Sequence, residues 1–415
     1  MSMSFNRVAT ANTYDRAIGN VSARGTALSN LQENLTSGKR VVRASDDPTA
    51  AANAERAMTR ISRIATDQRA LESQRNTIAQ AESTLGQATD VLQRFRELVV
   101  SAGNAVHSSA ERRSIAVELQ GLRDQVFSLA NAKDTNGMPL FGALASALAP
   151  FVGSQASAPD YTFQGLPGQA ASSDVAIPFS LNGDAAFMLQ SARDASYNVQ
   201  NGNAASQLQT SAVTMTNSAL VNGSSYNISN IAVSAGTLPN TSKVSYDLTE
   251  TTAAGVTLPA VPTTEPDYAS TQGTIPINLP GLSLTLSGSL SAGDSLSITP
   301  NPSVFSVLDN AIKNIKEATN NNAAAQAVGQ ALHNIDIGME RISAVRGQAG
   351  DLLNRADRIS ANQEGRSIQL EADRSRAEDL DMIQGISDFN NQQTGYQAAL
   401  QTYAKVQQLS LFNFI

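Results

Sequence analysis

The groups able to carry chemistry are few. The 415-residue chain holds two histidines, His107 and His333, and no cysteine. Disulfide scaffolds, thiol nucleophiles and cysteine-ligated metals are therefore excluded, and a zinc site has almost none of its usual ligands to draw on. His107 and Glu111 stand four apart and would share one helix face, but one imidazole and one carboxylate are too few to hold a metal. Beside a helix start they read as a surface pair. His333 borders an apolar helical stripe and reads as a packing or surface residue. Serines abound, yet the two histidines lie far apart in sequence and lend a Ser–His–Asp arrangement no support. No H-E-x-x-H, P-loop, G-x-S-x-G or G-x-G-x-x-G string occurs. These residues predict no catalytic site, no metal and no cofactor, hence a chain that is not an enzyme.

With no reaction to serve, composition shows what the elements are for. Lys and Arg number 29 and Asp and Glu 36, for a net charge of −7. That balance argues against a nucleic-acid binder, which needs a basic surface. No run of 18 apolar residues is present, so no membrane insertion is expected, and Met1–Asn20 lacks the apolar stretch of an ordinary secretory signal. Tryptophan is absent and aromatics are 5%, which argues against one thick globular core. Thirteen of the 14 prolines lie between Pro139 and Pro302. Residues 140–302 carry nine acids and two bases, so the whole net charge sits there and the rest of the chain balances at 27 against 27. These shifts place boundaries near 139 and 303.

The flanks read as helix, being free of proline after Pro48 and rich in Ala, Gln, Glu, Arg and Leu. The middle reads as β. Leu282, Leu284 and Leu286 alternate with Ser or Thr, as do Leu296 and Ile298 after a turn at 291–294. Val175, Ile177, Phe179 and Leu181 also alternate and run into Asn182-Gly183, a hairpin signal, with Pro178 marking an edge. The predicted class is α+β: a long antiparallel helical rod or coiled coil from both chain ends, with an inserted all-β outer domain.

Ile64, Leu71, Ile78, Leu85, Leu92 and Val99 each follow the last by seven residues. Such a seam describes a helix packed at a shallow angle along others. Asp47-Pro48 starts that helix as N-cap and first residue, and Gly38 stops the one before. Ser108 and Glu111 have capping-box spacing. They open a second helix, whose Ile115, Leu119, Leu122, Val126 and Leu129 should fold back along the seam as its hairpin partner. Ile335, Met339, Ile342, Ala349, Leu352, Ala356 and Ile359 form a matching stripe near the C-terminus. Arg366–Asp379 is dense in both signs, either a solvated face of i,i+4 pairs or ion pairs between neighbouring subunits.

Both chain ends are apolar at helical spacing. Leu28, Leu31 and Leu35 mark the first, with Phe5 and Val8 before them; Tyr396, Leu400, Tyr403, Leu409, Leu411, Phe412, Phe414 and Ile415 mark the second. They either cover each other within one molecule or pack against copies of themselves. The apolar terminus favours the second, as an assembly interface.

Leu35-Thr36-Ser37-Gly38-Lys39-Arg40-Val41-Val42, followed by Ser45-Asp46-Asp47-Pro48, resembles the N-terminal signature of the flagellin family. Gln120–Gln125, Leu129-Ala130-Asn131 and Asp134–Gly137 continue the likeness, as do residues 292–305 and Val406–Phe412 at the C-terminus. Lys39 and Pro48 favour the family's hook–filament junction subunits over its filament flagellins, which remain the alternative. The resemblance covers roughly residues 1–142 and 292–415. It implies inner-tube helices at 1–44 and 373–415, rod halves at 45–139 and 303–372, and an outer β-rich domain at 140–302. It also implies a secreted structural subunit of the bacterial flagellum, unfolded during type III export. The partners implied are copies of itself in a ring, the hook-side junction protein, flagellin, an export chaperone and the export apparatus. An enzyme carried on 140–302 and an unrelated coiled-coil adhesin are the remaining alternatives, neither with a motif to support it.

Overall fold

The computed structural model describes residues 4–145, 148–154, 160–203, 206–270, 273–291 and 293–412. Three helices open the chain. Helix α1 (Ser4–Ser37) stops at Gly38, whose φ of +70° is left-handed and costs glycine nothing. Helix α2 (Pro48–Ala102) begins where Asp47 Oδ1 accepts the backbone N–H groups of Thr49 and Ala50 at 3.1 and 3.0 Å. The bond from Ala50, then that of the Thr49 hydroxyl, holds the Asp47 carboxyl below its ordinary pKa. Helix α3 (Ser109–Ala130) opens on a complete capping box: Ser108 N–H donates to Glu111 at 2.6 Å, and Glu111 N–H donates to Ser108 Oγ at 3.3 Å.

The middle of the chain supplies strands β1 (Phe151–Gly153) and β2 (Tyr161–Phe163), then short helices α4 (Gly183–Phe187) and α5 (Ser191–Asp194). Strands β3 (Tyr197–Asn201), β4 (Gln209–Thr210), β5 (Thr214–Met215), β6 (Ser225–Ala235) and β7 (Thr241–Thr251) follow. Then come β8 (Val261–Thr264), β9 (Tyr268–Ala269), β10 (Thr274–Leu279), β11 (Leu282–Ser287) and β12 (Leu296–Pro300). Helices α6 (Val304–Glu317), α7 (Asn321–Glu378) and α8 (Met382–Phe412) end the chain. All strand pairs are antiparallel. One sheet runs β3-β12-β6-β7-β8, with β9 also on β7; a second runs β10-β11-β4, with β5 also on β11; β1 and β2 pair alone. The α+β class is as predicted: long helices from both ends pair antiparallel, and the region between them is antiparallel sheet.

The chain divides into two compact units, residues 1–69 with 360–415, and residues 70–359. The larger unit contains two cores. In the first, α2, α3, α6 and α7 share a core with residues 140–189. Phe305 is its aromatic centre, edge-on to Phe127 at 5.2 Å and stacked on Phe187 at 5.7 Å. Ion pairs from Arg96 to Asp336, Glu82 to Arg346 and Arg75 to Asp357, at 3.0, 2.6 and 3.1 Å, record the antiparallel run of α7 along α2. The second core lies between the sheets and starts at Ala195. Leu282, Leu284, Leu286, Leu296 and Ile298 are buried in it, as their period of two requires. The packing boundary thus lies between Leu189 and Ala195, inside the acidic segment. The outer edge of β3 is sealed by amides of α7. Gln330 Oε1 accepts Val199 N–H at 3.1 Å, and Asn334 Nδ2 donates to the Tyr197 carbonyl at 2.9 Å.

One predicted strand is absent. Val175–Leu181 forms no strand and Asn182-Gly183 no hairpin. Asn182 instead caps α4, accepting Ala185 N–H at 3.4 Å; asparagine suits both roles. The backbone there bonds partly to side chains, Ile177 N–H to Gln74 at 3.0 Å and Asn182 N–H to Gln169 at 3.0 Å. At Leu181 it bonds to the 140–143 backbone, donating to Leu140 O at 2.9 Å and accepting Ala143 N–H at 3.1 Å, so no full strand ladder forms.

In the smaller unit α1 runs antiparallel to α8. Tyr14 and Tyr403 share a hydroxyl hydrogen bond of 2.9 Å, Gly25 faces the Tyr396 ring, and Leu35 faces Gly385.

Candidate functional site

The predicted residues fall into two environments. Of the seam, Leu71, Ile78, Leu85, Leu92 and Val99 are buried in the larger unit, and Ile64, 8% exposed, is buried in the smaller. Leu119 and Val126 are fully buried in the same core as the seam, with Ile115, Leu122 and Leu129 half-buried against it. Burying each such side chain is worth about 1.5–3 kcal/mol.

The terminal pair is different. Leu28, Leu31, Leu35, Tyr396 and Tyr403 are only half-buried, and Leu400 is 40% exposed. Ile383 is 85% exposed, with Ile18, Met382 and Ile386 also exposed. Among the described side chains of α1 and α8, Gly385 alone is buried. The side chains of Phe5, Val8, Leu409, Leu411 and Phe412, together with residues Phe414 and Ile415, lie outside the described set. A helix with one neighbour covers one side of its apolar stripe and leaves the other to water. The arrangement leaves part of each stripe uncovered, and among the described side chains it brings no metal-binding group together.

The signature residues come together as a joint. Ser37 Oγ accepts Lys39 N–H at 3.3 Å, and Lys39 Nζ pairs with Glu378. Arg40 N–H donates to the Glu378 carbonyl at 2.8 Å, and its guanidinium donates to Ala377 O at 2.9 Å and pairs with Asp47 at 3.4 Å. Leu380 N–H returns a bond to Gly38 O at 3.0 Å. Asp46 Oδ2 accepts from Val42 and Arg43 N–H at 3.2 and 2.8 Å and folds the turn that delivers Asp47-Pro48 to α2. The break after α1 is thus hydrogen-bonded to the break before α8. Sequence reasoning placed Glu378 in the charged stretch but not beside Lys39, which lies 339 positions away.

In the charged stretch Arg374 pairs with Glu371 and Glu378, and Arg376 with Asp373, all within one helix. His107 Nδ1 lies 3.8 Å from Glu111, and His333 is half-buried. Among the described residues no group of three or more His, Asp or Glu could hold a metal, and no helix is long and apolar enough to cross a membrane.

Other polar clusters are structural ties. Tyr161 donates to Asp309 at 2.6 Å, and Arg123 reaches the same carboxylate at 2.9 Å. Burial, then the bond to Asp309, raises the Tyr161 pKa; burial likewise raises that of Asp309. Buried Glu265 accepts from Tyr246 Oη at 2.6 Å and from Asn278 at 2.6 and 2.7 Å, tying one sheet to the other.

The family profile for the bacterial flagellin N-terminal helical region matches residues 6–145, and that for the C-terminal helical region matches 332–415, together over half of the chain. Flagellar hook-associated protein 3 of Salmonella typhimurium is 35% identical over 148 residues, 35% of this chain and 46% of that protein. The Flagellar filament 41 kDa core protein of Borreliella burgdorferi is 34% identical over 111 residues, 27% of this chain and 33% of that protein. The chain therefore matches less than half the length of these relatives. The crystal structure of the flagellar junction protein FlgL from Legionella pneumophila superposes with a TM-score of 0.54 at 25% identity, covering 73% of this chain and 98% of that one. Xanthomonas campestris FlgL, at 23% identity and a TM-score of 0.54, covers 77% and 98% and shares the fold. With both of its terminal helical regions matched, the chain belongs to the flagellin family.

Proposed function

We propose that the chain is a structural subunit of the bacterial flagellum at the junction between hook and filament. The observation that carries this is the half-covered apolar surface of α1 and α8, read beside the likeness to junction proteins of similar fold. Copies join through these helices into a ring, with residues 1–44 and 373–415 innermost, 45–139 and 303–372 in the next layer and 140–302 facing solvent. The hook-side junction protein and flagellin are the neighbours, and the subunit leaves the cell through the type III apparatus with an export chaperone.

Burial of the terminal helices drives assembly in this account. Deleting residues 1–40 and 380–415 is expected to abolish incorporation and the gain of helicity on assembly. A truncated chain that incorporates and gains the same helicity refutes the mechanism. Removing the gene is expected to leave hooks that form but lose flagellin to the medium.

The second reading is a filament flagellin, favoured by the likeness to filament core proteins over the helical regions. It predicts that the purified chain polymerises into long filaments, and that cells lacking it still export but have no flagellin to lose.

A further inference from the structure

The ion pairs that tie α2 to α7 stop at Arg75. From Arg96–Asp336 through Glu82–Arg346 to Arg75–Asp357, each links the two helices within one chain. Helix α2 carries on toward its start with Arg63, Arg60 and Arg56, all exposed. Among the described residues none of these three forms an ion pair, and Arg56 reaches only the Asn53 amide oxygen, at 3.5 Å. Their spacing of i, i+4 and i+7 sets them along one face of two helical turns.

The returning helix α7 carries Glu364, Ile368 and Glu371 at the same spacing and also exposed. Glu364 forms no ion pair among the described residues, Ile368 is 65% exposed, and Glu371 is shared with Arg374 of its own helix. The imbalance extends over the whole smaller unit. Residues 1–69 hold ten bases and six acids, while 360–415 hold four bases and seven acids. The charge is separated between the two stretches.

We infer that the Arg56–Arg60–Arg63 stripe is a contact surface for a second copy of this chain, which meets it with its Glu364–Ile368–Glu371 stripe. The inference rests on the proposed assembly of copies and names a surface for it beyond the terminal helices. Two helices laid side by side bring arginines and carboxylates seven residues apart into register, both spanning about 10 Å. The Arg60 stem lies over Ile368, burying apolar surface while its head stays in water. The opposite docking, stripe on like stripe, sets arginine against arginine. A basic face on one copy and an acidic face on the next make a head-to-tail contact, which closes into a ring or winds on as a helix. Such exposed pairs weaken with salt.

The absence of cysteine gives a clean test. Full-length Arg60→Cys and Ile368→Cys chains, mixed under assembly conditions on isolated hooks and oxidised, are expected to give a 60–368 disulfide in the assembled fraction only. Reversing the arginines (R56E, R60E, R63E) should cut assembly at least tenfold with an unchanged circular dichroism spectrum. The E364R, E371R chain should fail alone in the same way, and mixing the two reversed chains should restore assembly. Wild-type assembly by either reversed chain alone, disulfides only between two copies of the Arg60→Cys chain, or no rescue on mixing would overturn the inference while leaving the assembly reading intact. If the folded wild-type chain assembles neither on hooks nor with itself, the assembly reading fails and this surface with it.

Discussion

The helices of the larger unit and the terminal pair of the smaller are built from similar residues, with opposite results. Along Leu71–Val99 the apolar stripe meets α3, α6, α7 and the 140–189 segment, and every member is buried. Along α1 and α8 the stripe meets one other helix, and no large side chain among those described is buried. Burial follows the number of neighbours more than apolar content. One region buries its apolar stripe within the chain, and the other leaves part of it uncovered.

The largest expected effect lies in the buried region. Phe305→Ala removes the ring at the centre of the helical core and should cost about 3–5 kcal/mol, read from chemical denaturation. A much smaller loss would break the contrast.

Alkali should act on the same unit. Burial, then the charge of Glu250, pushes the Tyr226 pKa up to about 12, and burial drives Tyr161 and Tyr246 higher still. A phenol whose folded pKa lies above its unfolded value of 10.0 stabilises the fold fully below pH 10 and loses that contribution as pH rises through 12. Absorbance of tyrosinate against pH should therefore show a late transition that coincides with loss of sheet signal. Simple titration near pH 10 for all eight tyrosines would contradict it.

Tyr246→Phe leaves buried Glu265 without one of its donors and should cost about 1–3 kcal/mol. Ser108→Ala breaks the capping box and should cost about 1 kcal/mol. The bond from Ser108 N–H, then the Ser108 hydroxyl, holds Glu111 below its ordinary value of 4.5. The cap therefore contributes above that value and is lost as pH falls through the depressed one, so the Ser108→Ala penalty should shrink in acid. The smallest effect on the free chain belongs to Leu31→Ala, within about 1 kcal/mol, yet incorporation should fall sharply. A variant that is stable and still assembles would sink the contrast from the other side.

Much of this was legible because it is local. Asp47-Pro48, Gly38 and Ser108–Glu111 fix helix ends through neighbours within four residues, and the period of two at Leu282–Leu286 fixes a strand. Asn182 was misread because the same residue caps helices and turns hairpins, and only tertiary packing chooses. Gln330 and Asn334 on the edge of β3, Asp309 under Tyr161 and Glu378 at the joint were illegible because each partner is more than a hundred residues away. The terminal stripes were legible as apolar, but not how little of them the chain itself covers.

The most direct measurement is amide hydrogen exchange on the full chain, free and assembled. The account predicts slow exchange along 78–99 in both states. It predicts fast exchange along α1 and α8 in the free chain that becomes slow on assembly. Terminal helices protected in the free chain as well as residues 78–99, or unprotected in the assembly, would contradict it.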